Sequence, residues 1–115
     1  MKTDIRPAET EAVLEGVLAL PIAHWRYKTE TPEVQHIGPM AQDFKAAFGV
    51  GEDDKHIFQI DADGVSFAAI QALSRRLEAI AGAQRVLEQE NTLLHRELKR
   101  VKDELQNARR ARAVR

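Results

Sequence analysis

The sequence predicts an α+β fold, in which a small head of short helices and β-hairpin strands is followed by a long C-terminal helix. Apolar residues recur at heptad spacing through residues 70–108, residues 22–28 alternate between apolar and polar side chains, and prolines interrupt the first part of the chain. These patterns divide the chain into a head at residues 1–66 and a coiled-coil helix at residues 67–115.

The net charge of −1 conceals two segments of opposite charge. Residues 1–73 contain 6 Lys or Arg and 12 Asp or Glu, whereas residues 74–115 contain 11 and 6. The absence of cysteine excludes disulfides and thiolate metal sites. No run of about 18 apolar residues predicts a membrane span, and no apolar signal-peptide core begins the chain. We therefore expect the chain to fold in a cytoplasm without a membrane partner.

The first half of the head is predicted to contain one helix and one hairpin. Residues 6–20 carry four apolar side chains on one helical face, and Pro21 ends that helix. The alternation over residues 22–28 predicts a half-buried strand with Ala23, Trp25 and Tyr27 on one side. Residues 35–38 are predicted to return as the second strand, so that residues 22–38 form a hairpin.

The second half of the head is predicted to contain a helix and another short strand. Pro39 suits the first turn of a helix whose apolar stripe is Met40, Phe44 and Phe48. Residues 57–60 are predicted to form the strand. Asp61 or Asp63 is then predicted to cap the long helix, which begins near Gly64 or Val65.

The long helix carries the clearest pattern of the sequence. Its a positions are Ile70, Leu77, Gln84, Asn91, Leu98 and Leu105, and its d positions are Leu73, Ile80, Leu87, Leu94, Val101 and Ala108. This many heptads in succession predict a coiled coil. At about 1.5 Å per residue the segment 64–112 is about 75 Å long, which is more than the small head can cover. The helix must therefore pack against copies of itself.

The flanking charges favour a parallel arrangement of the copies. The g and e′ positions pair Glu90 with His95, Glu97 with Lys102 and Glu104 with Arg109. The polar a residues Gln84 and Asn91 lower stability and fix the register, because a slipped register would bury each amide against leucine. The heptads by themselves do not decide between two and three strands.

Other kinds of functional site receive little support. The serines Ser66 and Ser74 both lie in the region of the long helix and outside any nucleophile-elbow sequence, which argues against a hydrolase site within the chain. The histidines show no metal-ligand spacing, and the DADG segment is only a fragment of a calcium loop, so no metal and no cofactor is predicted. The basic tail follows the heptads, whereas zipper-type DNA-binding proteins carry their basic region first, so we expect no nucleic-acid partner.

The segment HIGPMAQDF at residues 36–44 allows two interpretations. It is either a packing corner, with Ile37, Met40 and Phe44 in the core and His36 and Gln42 bonded to backbone, or part of a functional site. The residue types alone favour the packing corner.

A resemblance to a known family adds to this interpretation. The blocks LPIAHWRYK, HIGPMAQDFKAAFGVGEDDKHI and IDADGVSFAAIQAL, followed by a coiled coil, resemble the endosialidase-type C-terminal intramolecular chaperone domain. Such domains end phage tail spikes and fibres and some bacterial surface proteins. The resemblance runs from about Lys2 to Leu77 in consistent order, and beyond Leu77 only the coiled coil matches.

The resemblance implies a trimeric coiled coil and a self-cleaving chaperone. Domains of this family form homotrimers, align the upstream fibre segment of the same polypeptide, and release themselves with a serine–lysine dyad in the motif Ser-Asp-x-x-Leu-Lys. Met1 and Lys2 fall where Leu-Lys would be, so Lys2 corresponds to the dyad lysine, and His36 and Gln42 are candidates to support the scissile segment. The serine would precede Met1, so the chain as given is expected not to cleave.

The same resemblance implies where the protein assembles and leaves one alternative function open. Assembly is expected in the host or bacterial cytoplasm, with the parent protein in a virion tail or at a cell surface. The alternative is a permanent trimerisation and capping module with neither chaperone nor peptidase activity.

Overall fold

The computed structural model describes residues 1–114, and its elements follow in the order α1 (Thr10–Ala19), β1 (Ala23–Trp25), β2 (His36–Gly38), α2 (Ala41–Phe48) and α3 (Gln59–Ala113). The chain divides into two compact units, Met1–Arg75 and the part from Arg76 onward. Short helices and an antiparallel hairpin followed by a long C-terminal helix confirm the predicted α+β fold.

Helix α1 is shorter than the predicted segment 6–20. Its first intrahelical bond runs from the Val13 N–H to the Glu9 carbonyl (3.0 Å), so residues 6–9 lie ahead of the helix. At the other end Leu20 is extended and its N–H bonds the Val17 carbonyl, and Pro21 cannot continue the helix. The buried side chain of α1 is Leu14, which is 4% exposed.

The hairpin is also shorter than predicted. It pairs Ala23 with Gly38, His24 with Ile37 and Trp25 with His36. Tyr27, which was predicted to lie on the inner side of the strand, follows β1 and is 60% exposed. The connection instead folds into turns, because the Glu30 N–H bonds the Tyr27 carbonyl at 3.0 Å.

Helix α2 begins after Pro39 rather than with it. Met40 is its extended N-cap residue, and the Phe44 N–H makes the first helical bond to the Met40 carbonyl. Phe44 is 5% exposed, and its ring lies 4.9 Å from that of Phe48. Gly49 ends the helix in the left-handed region (φ 64°), a conformation that glycine adopts without steric cost.

Helix α3 begins at Gln59, so the predicted strand at residues 57–60 and the predicted start near Gly64 are wrong. The Phe58 carbonyl accepts the N–H groups of Asp61 and Ala62, both at 3.1 Å, which leaves Asp61 inside the first turn rather than at a cap. The sheet formed within residues 1–114 has two strands, so a strand at 57–60 would leave its backbone groups unpaired. A helix satisfies those groups internally.

The core of the first unit is small. Leu14 of α1 packs with Ala69 and Ala72 of α3, and Ala72 is completely buried. The Arg75 guanidinium donates a hydrogen bond to the Thr10 hydroxyl at 2.8 Å, which adds a polar contact between the same two helices. Alanine side chains bury little apolar area, so this core contributes little to stability.

Candidate functional site

The hairpin and its connection bring the rings of Trp25 and Tyr27 against His36. Trp25 and His36 are register partners, and their ring centroids lie 4.7 Å apart with an interplanar angle of 33°. Tyr27 meets both rings edge-on, at 5.0 Å from Trp25 and 5.6 Å from His36. Such offset and edge-to-face arrangements are the favourable geometries for aromatic rings.

Glu30 fixes the orientation of His36. Both carboxylate oxygens of Glu30 lie 2.9 Å from His36 Nε2, and Oε1 also accepts the Tyr27 backbone N–H at 2.7 Å. The hydrogen bond from the Tyr27 N–H, followed by the one from His36, holds the pKa of Glu30 below its ordinary value. An ionised carboxylate only accepts hydrogen bonds, so Nε2 of His36 is the donor and carries a proton.

The structure corrects the packing-corner interpretation at His36 and Ile37, whereas Phe44 is buried as that interpretation expected. His36 bonds a carboxylate rather than backbone, and Ile37, which was expected in the core, is 67% exposed. Successive side chains of a strand point to opposite faces, and the face that carries His36 is the one that meets Trp25. Glu30 was not predicted, since its only sequence signal is an acidic residue in the turn six positions before His36.

Gln42 lies in the first turn of α2 and is exposed. It lines a cavity of about 460 Å³ with Trp25, Tyr27, Lys55 and His56. The cavity and the His36 cluster therefore share the rings of Trp25 and Tyr27. Within residues 1–114 the Gln42 side chain makes no hydrogen bond, so the predicted bond to backbone is absent.

Lys2 lies in the exposed arm that precedes α1. No hydrogen bond or ion pair within the described residues joins it to His36 or Gln42. The hydroxyl of Ser66 donates to the Ala62 carbonyl at 2.8 Å, as serines inside helices commonly do. Lys2, His36 and Gln42 all lie in the first unit, but the structure does not assemble them into one cluster.

The a and d side chains of α3 are largely exposed. From Ile70 to Leu105 the apolar members of this set are between 47% and 65% exposed: Ile70, Leu73, Leu77, Ile80, Leu87, Leu94, Leu98, Val101 and Leu105. At the polar a positions, the Gln84 amide lies 3.4 Å from the Glu88 carboxylate, and Asn91 is exposed. Glu97 and Glu104, two of the predicted g residues, both pair with Arg100 of their own chain.

None of the helices within residues 1–114 combines the length and apolar composition that a bilayer span requires. The same part of the chain holds no cluster of His, Asp and Glu suited to a metal ion. The DADG segment in particular is helical.

Comparison with known proteins finds one similarity, which covers the first 50 residues. Residues 1–50 match the family model described as chaperone of endosialidase, a family that is also named as a peptidase. No curated protein and no solved structure matches the chain. The matched residues include Lys2, α1, the complete hairpin with Glu30 and His36, and α2 with Gln42. The region of the chain that carries Lys2, His36 and Gln42 is therefore similar to the endosialidase chaperone family.

Proposed function

We propose that the chain is a C-terminal intramolecular chaperone that trimerises and aligns an upstream segment of the same polypeptide. That segment would be a phage tail spike or fibre, or a bacterial surface fibre. The observation that carries the proposal is the exposed apolar heptad face of α3, which follows a domain of the endosialidase chaperone family. The proposal includes a division of the chain into a head at residues 1–66 and a coiled-coil helix from residue 67.

The energetics favour association of the helices. Complete burial of a leucine or isoleucine side chain contributes roughly 1.5–3 kcal/mol. The apolar a and d side chains of α3 are about half exposed or more. Contact with a partner helix would bury this exposed surface, so each layer of the coiled coil would contribute a part of that burial free energy. The small core around Leu14 and Ala72 supplies little stability by itself, and small domains commonly gain it by oligomerisation.

Association of this kind suits the assembly of a fibre. Pairing between distant or separate chains is slow and leaves strand edges exposed to aggregation, whereas helices form quickly from local contacts. A coiled coil that joins the chains early raises the effective concentration of the upstream segments to roughly the millimolar range. The polar a residues Gln84 and Asn91 would select the parallel, in-register alignment, in which equivalent residues of the three helices lie at the same height.

The proposal also includes release of the chaperone by autoproteolysis. Lys2 would accept the proton of a serine hydroxyl as the serine oxygen attacks the carbonyl carbon of the residue before it. The peptide bond between that carbon and the serine nitrogen breaks, and the freed amine takes the proton from Lys2. Water then hydrolyses the ester, which separates the two chains and restores the serine hydroxyl. Removal of water from around an amine lowers its pKa and makes it a base at neutral pH. The proposal places this serine ahead of Met1, at the spacing of the motif. His36 and Gln42 are proposed to support the segment that is cut.

The trimerisation part of the proposal is tested by the solution mass. Light scattering across a concentration series should give the mass of three chains, and a dimer would contradict the proposal.

The release part is tested in a longer polypeptide, in which a fibre segment ending in Ser-Asp precedes Met1 at the motif spacing. It should be cut before the serine. Lys2→Ala should abolish the cut, whereas the control Lys28→Ala, at another exposed lysine, should not. A stable trimer that is never cut would favour a permanent trimerisation and capping module.

A further inference from the structure

Within the first unit, α3 has two apolar faces. One face carries Ala69 and Ala72, which are 8% and 0% exposed because α1 covers them. Phe67 is 67% exposed and Ile60 is 72% exposed. At about 100° per residue, Phe67 points about 140–160° away from the two alanines and Ile60 about 120–180° away. The large apolar side chains therefore lie on the side of the helix opposite to α1.

Phe67 and Ile60 lie on nearly the same face as Ile70, the first a residue of the heptads. By the same rotation of about 100° per residue, the three side chains fall within about 80° of each other. A strict continuation of the heptad register toward the N-terminus would place Asp63 and Ser66 in the next core layer. The strict register thus predicts an apolar face that stops at Ile70, whereas large exposed side chains continue it one position to the side.

The spacing of Phe67, Ile70 and Leu73 departs from the regular heptad pattern. Phe67, Ile70 and Leu73 follow one another in two steps of three residues, where a regular heptad would alternate steps of three and four. Such a step locally overwinds the coil and moves its contact face around the helix. Positions beside the core, such as the e positions that Phe67 and Ile60 occupy, are then brought toward the neighbouring helices.

We propose that the self-association face of α3 extends past Ile70 through Phe67 to Ile60, and that further copies of this chain cover both side chains. This inference rests on the trimerisation proposed above and adds a contact made by the first unit. The occupant is a copy of the chain because the face is continuous with Ile70 and Leu73. In a parallel assembly in register, each Phe67 meets its neighbours at the same level.

The first test measures how strongly the chain associates. Phe67→Ala should raise the concentration at the midpoint of assembly at least tenfold, and Ile60→Ala should raise it in the same direction. Leu93→Ala is the matched control, because Leu93 is 61% exposed but lies at a c position, and it should change the midpoint less than twofold. Phe67 and Ile60 are exposed in the single chain, so the helical circular dichroism of the variants should be retained.

The second test uses the absence of cysteine from the chain. A single Phe67→Cys substitution treated with a short bismaleimide should give a covalent dimer, whereas Leu93→Cys should remain a single chain. Equal linking at both positions, or none at Phe67→Cys, would overturn the inference.

A paired variant separates this inference from the proposed function. If Leu87→Asp with Leu94→Asp abolishes assembly while Phe67→Ala leaves the midpoint unchanged, only the extended face is wrong. If assembly survives both aspartates, the proposed heptad core is wrong, and the continuity that the extended face requires is lost with it.

Discussion

Trp25 and His36 face each other across the hairpin as register partners, with their ring centroids 4.7 Å apart. Glu30 holds the imidazole in this position through Nε2, and the backbone N–H of Tyr27 holds Glu30. A strand pair of three residues on each side is too short to be stable by itself, so the ring stack and the carboxylate are expected to determine whether the hairpin persists.

The Glu30 carboxylate should make the stability of the head depend on pH. Its pKa is lower in the folded chain than in the unfolded chain. The stabilisation is therefore present above the unfolded pKa, which is about 4.3 for glutamate, and is lost as the pH falls through the lower folded value. Glu30→Gln should lower the melting temperature at pH 7, and the difference from the parent chain should shrink toward pH 3.

Thermal unfolding followed by circular dichroism at several pH values checks this prediction. Glu52→Gln is the control, because Glu52 is exposed and makes no hydrogen bond or ion pair within the described residues. A difference between Glu30→Gln and the parent that stays constant from pH 7 to pH 3 would contradict the proposed cause.

Trp25 should stabilise the folded chain through its ring rather than through its N–H group. Nε1 of Trp25 is buried without a hydrogen-bond partner in the described part of the chain, and an unsatisfied buried donor costs about 1–3 kcal/mol. Trp25→Phe keeps a ring against His36 and removes that donor, so the free energy of unfolding should change by less than about 1 kcal/mol. Trp25→Ala removes the ring, and because Trp25 is only half-buried the cost should lie below the about 3–5 kcal/mol typical of a buried tryptophan.

Urea unfolding followed by circular dichroism measures both values, since substitution of the only tryptophan removes the fluorescence signal. Equal losses in Trp25→Phe and Trp25→Ala would mean that the indole N–H has a partner in solution.

Gly16 should be required for the contact between α1 and α2. A Cβ atom at Gly16 would lie 2.6 Å from the Phe48 ring, closer than real contacts allow. Overpacking costs about 1–3 kcal/mol, whereas alanine in place of glycine inside a helix gains up to about 1 kcal/mol, so Gly16→Ala should lower the free energy of unfolding by about 1 kcal/mol.

Gly82→Ala provides the matched control for this prediction. A Cβ at Gly82 meets only the Arg85 guanidinium at 3.8 Å, so this change should stabilise the helix by up to about 1 kcal/mol. Chemical unfolding of the two variants and the parent chain measures whether each substitution lowers or raises the free energy of unfolding. Stabilisation by Gly16→Ala would show that Phe48 moves aside at no cost.

The polar a residues Gln84 and Asn91 should lower the stability of the assembly and restrict it to one alignment of the helices. Gln84→Leu combined with Asn91→Leu should raise the melting temperature of the assembly, because two polar layers become apolar. The same variant should lose its uniform mass, since nothing then penalises other registers or strand numbers. Sedimentation velocity distinguishes one species from several. A single trimer of unchanged stability would show that the two amides have no part in register.

The long helix and the hairpin were predictable because their signals are local. The heptad positions from Ile70 onward and the alternation around Trp25 depend only on residues near each other in the chain, so periodicity identifies them. The start of α3 was predicted incorrectly, because IFQI is apolar enough for either a strand or a helix. Within residues 1–114 the sheet has only two strands, so a helix satisfies the backbone groups of this segment better than a third strand would.

The sequence by itself determined the α+β order of elements, the apolar face of α3 and the resemblance of the head to the endosialidase chaperone family. Each of these depends on local spacing or on the order of blocks along the chain. Only the tertiary structure decided that Glu30 is the partner of His36, that Ile37 faces outward, and that Phe67 lies opposite to Ala72. These features depend on how a turn closes and on which face a neighbouring element covers, and the linear pattern of residues does not encode such relations.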